Sequence, residues 1–185
     1  NLKEFIEAFL RHRREVLTRR TIFDLRKARE RGHILEGLAV ALSNVDEIIE
    51  LIKAAPSPAE AKAQLTGRLW RSTIVEEMLA RAGADNAQSF RPEGLAAEYG
   101  LQPEGYRLSE VQSQRILEMQ LQRLTALEQD KITGEYKDVM DNIADLLDIL
   151  AKPERITVII SEELGQMKTQ YGDKRRSEIT VNVQD

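Results

Sequence analysis

The sequence predicts a mainly α-helical fold: a long antiparallel two-helix coiled coil, a small helical globular domain at its tip, and a short C-terminal strand. Three observations support this prediction. Two long segments, about 11–53 and 125–172, carry apolar residues spaced alternately three and four apart. Residues 54–124 between them are rich in helix caps and turn residues. Near the end, Ser177 to Val183 alternates apolar and polar residues as a strand does.

The outgoing arm, residues 1–53, carries one apolar seam. Its members are Leu25, Ala28, Gly32, Leu35, Leu38, Leu42, Val45, Ile49 and Ile52. This spacing places them on one face of a helix, so we expect one helical arm that ends near Lys53, ahead of Pro56. Glycine in mid-helix costs about 0.5–1 kcal/mol relative to alanine. We therefore predict a hinge at Gly32.

The middle block, residues 54–124, predicts short helices with defined starts. Ser57 precedes Pro58, and Ser72 precedes an apolar helical pattern, so each serine is a predicted N-cap. Ser109 followed three residues later by Gln112 is a predicted capping box. Residues 84–108 contain many turn-forming residues and predict an irregular surface loop. Trp70 is expected to pack inside this domain.

The returning arm, residues 125–172, carries the second seam. Its members are Ile132, Tyr136, Val139, Ile143, Leu146 and Leu150, followed by Ile160, Leu164, Met167 and Tyr171. Pro153 interrupts the pattern, and proline removes a helical hydrogen bond and disfavours helix just before it. We predict a break and a second hinge there. Residues 173–185 predict a turn and a strand that lead to a main body outside this chain.

Composition restricts the possible functions. The chain has 185 residues, of which 31% are charged, and it contains no cysteine. We therefore expect no disulfide framework and a cytoplasmic location. No apolar run approaches the length of about 18 residues that a membrane-spanning helix needs, so we expect no membrane partner.

Positive charge is concentrated at the start of the chain. Residues 1–33 contain ten Lys/Arg and five Asp/Glu, although the whole chain has a net charge of −4. The candidate DNA-facing residues are Arg11, Arg13, Arg14, Arg19 and Arg20. Basic clusters of this kind contact phosphate without sequence preference. The alternative interpretation is a solvated face of a long helix.

The residues predict no catalytic or metal site. His12 and His33 are too far apart in sequence for a typical metal-binding pair, and no cysteine accompanies them. We expect His33, beside the seam, to be a packing or hydrogen-bonding residue. No glycine-rich phosphate loop and no nucleophile elbow is present.

A candidate dimer interface lies where the middle block meets the returning arm. The stretch Ile116 to Leu127 is more apolar than a short helix requires. The residues that we predict at the interface are Ile116, Met119, Leu121, Leu124 and Thr125. Two interpretations are open: the stretch forms the domain core, or it is a self-association face, which exposed apolar patches often are.

Several stretches carry a family resemblance. Arg11 to Leu38 (RHRREVLTRRTIFDLRKARERGHILEGL) resembles the start of the long coiled coil in the A chain of bacterial type II DNA topoisomerases. Gln120 to Glu128 (QLQRLTALE) is similar to the far turn of that coiled coil, and Gly172 to Ile179 (GDKRRSEI) to the return to the main body. Pro56 to Lys62 (PSPAEAK) is similar to the gyrase branch of the family. Gly32 departs from the alanine common there.

This resemblance implies a mechanical role. In that family the tip domain pairs with its twin to form the exit gate (C-gate) through which transported DNA leaves. The catalytic tyrosine lies in an upstream domain, so no catalytic residue is expected in this chain. ATP and magnesium belong to the partner gyrase B protein of a complex with two copies each of gyrase A and gyrase B, so no cofactor is expected here. The expected partners are a second copy, gyrase B and DNA in transit.

Two other classes remain open from the residues alone. One is a helical-hairpin scaffold of another chromosome-associated protein. The other is a coiled coil that binds nucleic acid through the basic face of residues 11–31, which tight and salt-dependent binding would reveal.

Overall fold

A computed structural model describes residues 1–83 and 87–180, and the fold is mainly helical. In the described residues the helices are α1 (Leu2–Ser43), α2 (Val45–Ala54), α3 (Pro58–Gly67), α4 (Thr73–Ala82), α5 (Glu110–Glu118), α6 (Ala126–Ala151) and α7 (Pro153–Tyr171). Two short strands, β1 (Gly100–Gln102) and β2 (Gly105–Arg107), and two 3-10 helices, Ala87–Phe90 and Leu121–Arg123, complete them. The predicted mainly helical class is confirmed, while the coiled coil with a tip domain stays a prediction.

The chain divides into two compact units. The first unit comprises Asn1–Arg20 and Ile149–Asp185, and the second comprises Thr21–Asp148. Helix α1 contributes its beginning to the first unit and its remainder to the second.

In the first unit, Leu17, Ile156 and Ile160 are buried apolar residues. Helix α6 ends at Ala151, and α7 begins with Pro153 at its first position after the extended residue Lys152. The predicted break is therefore confirmed. Proline is tolerated at this position because the first amide of a helix has no intrahelical acceptor.

The predicted seam is wrong for the last turns of α7. Leu164, Met167 and Tyr171 are 38%, 54% and 67% exposed, although Ile160 is buried. Seam spacing only brings residues to one face of a helix. Burial also requires another element over that face, and the described part of the first unit leaves these three side chains largely uncovered.

The second unit contains the main core, and the central parts of both seams lie in it. Leu25, Ala28, Leu35 and Leu38 of α1 are buried, as are Tyr136, Ile143 and Leu146 of α6. The same core includes side chains from α2, α3, α4, β2 and α5. These are Ile48, Leu51, Ala61, Leu65, Trp70, Val75, Tyr106, Leu108 and Ile116. Trp70 is only 2% exposed, as predicted.

The expectation of one unbroken helix to Lys53 is wrong. Helix α1 ends at Ser43, and Asn44 separates it from α2. The Asn44 side-chain amide donates to the carbonyl oxygens of Val40 at 2.9 Å and Arg71 at 2.8 Å. Asparagine side chains compete in this way with the helical hydrogen-bond pattern, which explains the interruption.

The predicted caps are present. The hydroxyl oxygens of Ser57 and Ser72 accept hydrogen bonds from the backbone amides of Glu60 and Val75. Ser109 and Gln112 form both bonds of a capping box at the start of α5. Local sequence signals thus locate three of the helix starts.

A β-hairpin lies where the sequence predicted an irregular loop. Strands β1 and β2 pair antiparallel, with Leu101 opposite Tyr106. Trp70 joins them through reciprocal backbone bonds of 2.9 Å and 2.7 Å with Tyr106. Gly100 (φ 86°) and Gly105 (φ 152°) adopt backbone angles that favour glycine. The predicted C-terminal strand is absent over residues 177–180, and residues 181–185 lie outside the described part of the chain.

Candidate contact surface and buried polar cluster

The turn between α5 and α6, residues 119–125, contains most of the predicted interface. Helix α5 ends at Glu118, and Met119 is extended before the short 3-10 helix Leu121–Arg123. The Thr125 hydroxyl accepts the Glu128 backbone amide at 3.3 Å, while the Glu128 carboxylate accepts the Thr125 amide at 2.8 Å. This second capping box fixes the start of α6.

The structure revises the residues predicted at the interface. Ile116 is fully buried and Leu121 is 5% exposed, and both pack in the core of the second unit. They are therefore core residues of this chain, which answers for them the question that the sequence left open. Met119 and Leu124 are half-buried, and Thr125 is exposed. Their interface role stays a prediction.

An exposed leucine adjoins this turn. Leu127, in the first turn of α6, is 79% exposed, the highest value among the exposed large apolar side chains of the described residues. A groove beside it is lined by Ile49 and Ile52 of α2 together with Met119. Apolar surface is therefore available at the α5–α6 turn even without Ile116 and Leu121.

A buried polar cluster, which the sequence did not reveal, connects four elements of the second unit. We define it as His33 and Glu36 of α1, Tyr106 of β2, Ser109 and Gln112 at the start of α5, and Tyr136 of α6. The Glu36 carboxylate accepts the hydroxyl of Tyr106 at 2.6 Å and that of Tyr136 at 3.0 Å.

Gln112 completes the cluster. Its side-chain amide donates to the His33 carbonyl oxygen at 2.7 Å and to the Tyr106 hydroxyl at 2.8 Å. Its carbonyl oxygen accepts the Ser109 backbone amide at 2.9 Å. The His33 ring lies 2.7 Å from the Ser109 hydroxyl, so the expectation of a hydrogen-bonding histidine is confirmed. The sequence identified Gln112 only as a cap.

Burial determines the protonation states in the cluster. It raises the pKa of Glu36, an effect that the two tyrosine hydroxyls and the charge of Arg91 oppose. It also raises the pKa of Tyr106 and Tyr136, and the Glu36 charge adds to that rise. Burial, followed by the charge of Arg91, lowers the pKa of His33 from 6.5 to about 4. At neutral pH the phenols are therefore protonated donors and His33 is neutral.

Two glycines allow close packing against α1. A Cβ atom at Gly37 would lie 2.7 Å from Cγ and 2.8 Å from Cβ of Gln112. A Cβ atom at Gly32 would lie 3.2 Å from Ile143 and 3.3 Å from Val139. Helix α1 runs unbroken through both positions. Gly32 thus has a packing role that the sequence did not suggest, and the hinge remains a prediction.

Comparison with known proteins agrees with this helical segment. The family model for the A chain of DNA gyrase and topoisomerase IV matches residues 1–165. The chain belongs to this family. It is 59% identical over 179 residues to the DNA gyrase A protein of Neisseria gonorrhoeae, covering 97% of this chain and 19% of that protein. It is 56% identical over 185 residues to the DNA gyrase A protein of Escherichia coli (strain K12), covering 100% of this chain and 21% of that protein.

The chain is also 54% identical over 185 residues to the DNA gyrase A protein of Pseudomonas aeruginosa, covering 100% of this chain and 20% of that protein. It therefore spans about a fifth of the length of these gyrase A relatives. The family resemblance read from the sequence is confirmed.

The predicted DNA-facing arginines of this gyrase A segment lie in the first unit, and four of them have polar partners there. Arg13 (2.5 Å) and Arg20 both pair with Glu163, Arg19 pairs with Glu15, and Arg14 donates to the Thr157 hydroxyl at 2.6 Å. Arg11 makes no ion pair with any described residue. The carboxylates offset part of the positive charge, and contact with DNA stays a prediction.

Neither a metal cluster nor a membrane span was found in the residues described for this family member. Residues 1–83 and 87–180 contain no group of three or more His, Cys, Asp or Glu side chains placed to hold a metal ion. No helix in these ranges is long and apolar enough to cross a bilayer.

Proposed function

We propose that this chain is the exit-gate (C-gate) dimerisation and lever-arm segment of a DNA gyrase A protein. In this proposal residues 1–53 and 125–172 are the two arms of an antiparallel coiled coil, and residues 54–124 form the domain at its tip. The whole enzyme would couple ATP hydrolysis, on gyrase B, to DNA strand passage and negative supercoiling. The gyrase A relatives and the helical architecture support this assignment.

One observation carries the proposal: the exposed apolar surface at the α5–α6 turn. Leu127 is 79% exposed, and half-buried Met119 and Leu124 lie on the same short segment. A gate between identical chains requires a self-complementary surface around a two-fold axis. A small apolar centre with a polar surround fits an interface that opens and closes, since transient interfaces are more polar than obligate ones.

The buried polar cluster fits a lever. Its hydrogen bonds tie α1 and α6 to β2 and α5, so a displacement of either helix is passed to the tip domain rather than absorbed at a loose joint. The break between α6 and α7 at Pro153 supplies a point where bending costs little helical hydrogen bonding. The arginines of α1 would face the DNA segment in transit.

Cross-linking through an introduced cysteine tests the gate. The chain contains no native cysteine, so a single Thr125→Cys variant gives an unambiguous product. We expect an intermolecular disulfide within minutes of mild oxidation, because Thr125 would lie near its own copy across the two-fold axis. Thr169→Cys, an equally exposed helical position on α7, is the matched control and should react far more slowly.

Sedimentation equilibrium of the cysteine-free chain completes the experiment. We expect a dimer at micromolar concentration. A chain that stays monomeric at all concentrations contradicts the proposal. A dimer in which Thr125→Cys reacts no faster than Thr169→Cys retains the gate but removes Thr125 from the interface.

A further inference from the structure

A groove along α3 contains two opposite charges that do not pair with each other. It is lined by residues of α3, by Glu98 and Tyr99, by Arg107 of β2, and by Glu110 of α5. We call it the α3 groove. The Nε atom of Arg107 is buried without a hydrogen-bond partner. Within the described ranges neither Arg107 nor Glu98 forms an ion pair. A buried donor without a partner costs about 1–3 kcal/mol, so a partner from outside would be favourable.

The floor of the α3 groove is made of small side chains. Ala59, Ala63 and Gly67 are all exposed and lie four residues apart, on one face of α3. Gly67 has no positive φ, and a Cβ atom placed there would meet nothing within 4 Å. Neither the backbone nor the packing of this chain therefore requires glycine at this position. A floor of this kind lets another helix backbone come close, as small residues do wherever helices meet tightly.

The charges of the α3 groove are complementary to themselves. Lys62 already faces Glu110 at 3.7 Å, which leaves Arg107 and Glu98 as the unpaired groups. A foreign acidic partner would be repelled by Glu98 and a basic partner by Arg107. A second copy of this chain, related by a two-fold axis, satisfies both groups twice, since residue i meets residue j and j meets i in such an interface.

Helix α5 joins the α3 groove to the α5–α6 turn. Its first residue, Glu110, lines the groove, and Met119 directly follows its last residue. A helix of this length spans about 13 Å, well within an interface of about 800 Å² per partner. Val111, on the first turn of α5, is 59% exposed and extends apolar surface from one end toward the other.

We infer that the α3 groove is a second part of the self-association surface, in which Arg107 of each copy pairs with Glu98 of the other and the α3 helices pack through Ala59, Ala63 and Gly67. This inference rests on the proposed dimer and adds to it a residue pair that sets its specificity. Its failure is distinguishable from failure of the dimer itself, because the two are read from different variants.

Reciprocal charge reversal is the test, with sedimentation equilibrium of the 185-residue chain as the readout. Arg107→Glu and Glu98→Arg should each weaken dimerisation on the order of tenfold or more, since each loses two ion pairs and places like charges together. The double variant restores the pairs in reverse, and its dissociation constant should return to within about threefold of the parent. Arg81→Glu and Glu104→Arg, exposed charge reversals outside the groove, should leave it unchanged.

A second variant covers the case in which Arg107→Glu fails to fold. Gly67→Leu adds a side chain into open space, so helix content and thermal stability of the monomer should be kept, while dimerisation weakens on the order of tenfold. A dimer unaffected by Gly67→Leu and by Glu98→Arg overturns the inference and leaves the gate proposal intact. Single variants that weaken the dimer without rescue in the double variant overturn the Arg107–Glu98 pairing. A parent chain that never dimerises overturns both proposals.

Discussion

Replacing Gly37 by alanine should destabilise the second unit, even though alanine is the better helix former. Gly37 lies inside α1, where the exchange alone would gain about 1 kcal/mol from helix propensity. The added Cβ atom, however, would approach Gln112 to 2.7 Å at Cγ and 2.8 Å at Cβ. Gln112 is fully buried and its Cβ moves only with α5, so the contact cannot be relieved by rotating the side chain alone.

The magnitude follows from two costs. Overpacking a well-filled core costs about 1–3 kcal/mol. Displacing Gln112 also breaks its bonds to the His33 carbonyl oxygen and the Tyr106 hydroxyl, and each buried group left without a partner costs about 1–3 kcal/mol. After subtracting the propensity gain, we expect a net loss of about 2–4 kcal/mol in the free energy of unfolding. For a chain of this size that lowers Tm by roughly 4–16 °C.

Urea and thermal unfolding followed by circular dichroism at one fixed protein concentration would measure this loss, since dimerisation makes stability concentration-dependent. Gly134→Ala is the matched control. It is the same exchange within helix α6, and a Cβ atom there meets nothing within 4 Å, so it should stabilise the chain by about 0.5–1 kcal/mol. The reasoning is refuted if Gly37→Ala is as stable as the parent, or if both variants lose stability equally.

The remaining predictions concern the cluster and the caps. The folded-state pKa of His33 is lowered from 6.5 to about 4, so its contribution to stability is full above pH 6.5 and is lost as the pH falls toward 4. His33→Gln should remove about 3 kcal/mol of that pH dependence, as measured by urea midpoints from pH 7 to 4 with the exposed His12→Gln as control; equal slopes in both variants would contradict it. Glu36 has the opposite sign: its raised pKa stabilises the fold most below pH 4.5 and less as the pH rises through the folded value, so Glu36→Gln should gain stability relative to the parent between pH 4 and 7. Ser72→Ala removes a buried cap that also bonds the Ser43 hydroxyl at 2.8 Å, and should cost about 1–2 kcal/mol, more than Ser57→Ala at an exposed cap; the reverse order would be inconsistent with the burial argument.

The sequence alone determined the features that depend on neighbours along the chain. The caps at Ser57, Ser72 and Ser109, the break at Pro153 and the mainly helical class all follow from bonds or steric clashes within a few residues. The family could likewise be recognised from stretches such as Arg11 to Leu38. Short-range chemistry is complete in the sequence, so these features could be predicted before any packing was known.

The tertiary structure decided which apolar and polar groups are covered. Ile116 and Leu164 read alike in the sequence as apolar residues of a helix, yet the first is fully buried and the second is 38% exposed. The Glu36 carboxylate meets Tyr106 and Tyr136 across 70 and 100 residues of chain, and Asn44 ends α1 by bonding to Arg71. Periodicity defines a face of a helix but not what lies over it. Burial, pKa and the shape of a contact surface depend on that covering element, which only the folded chain supplies.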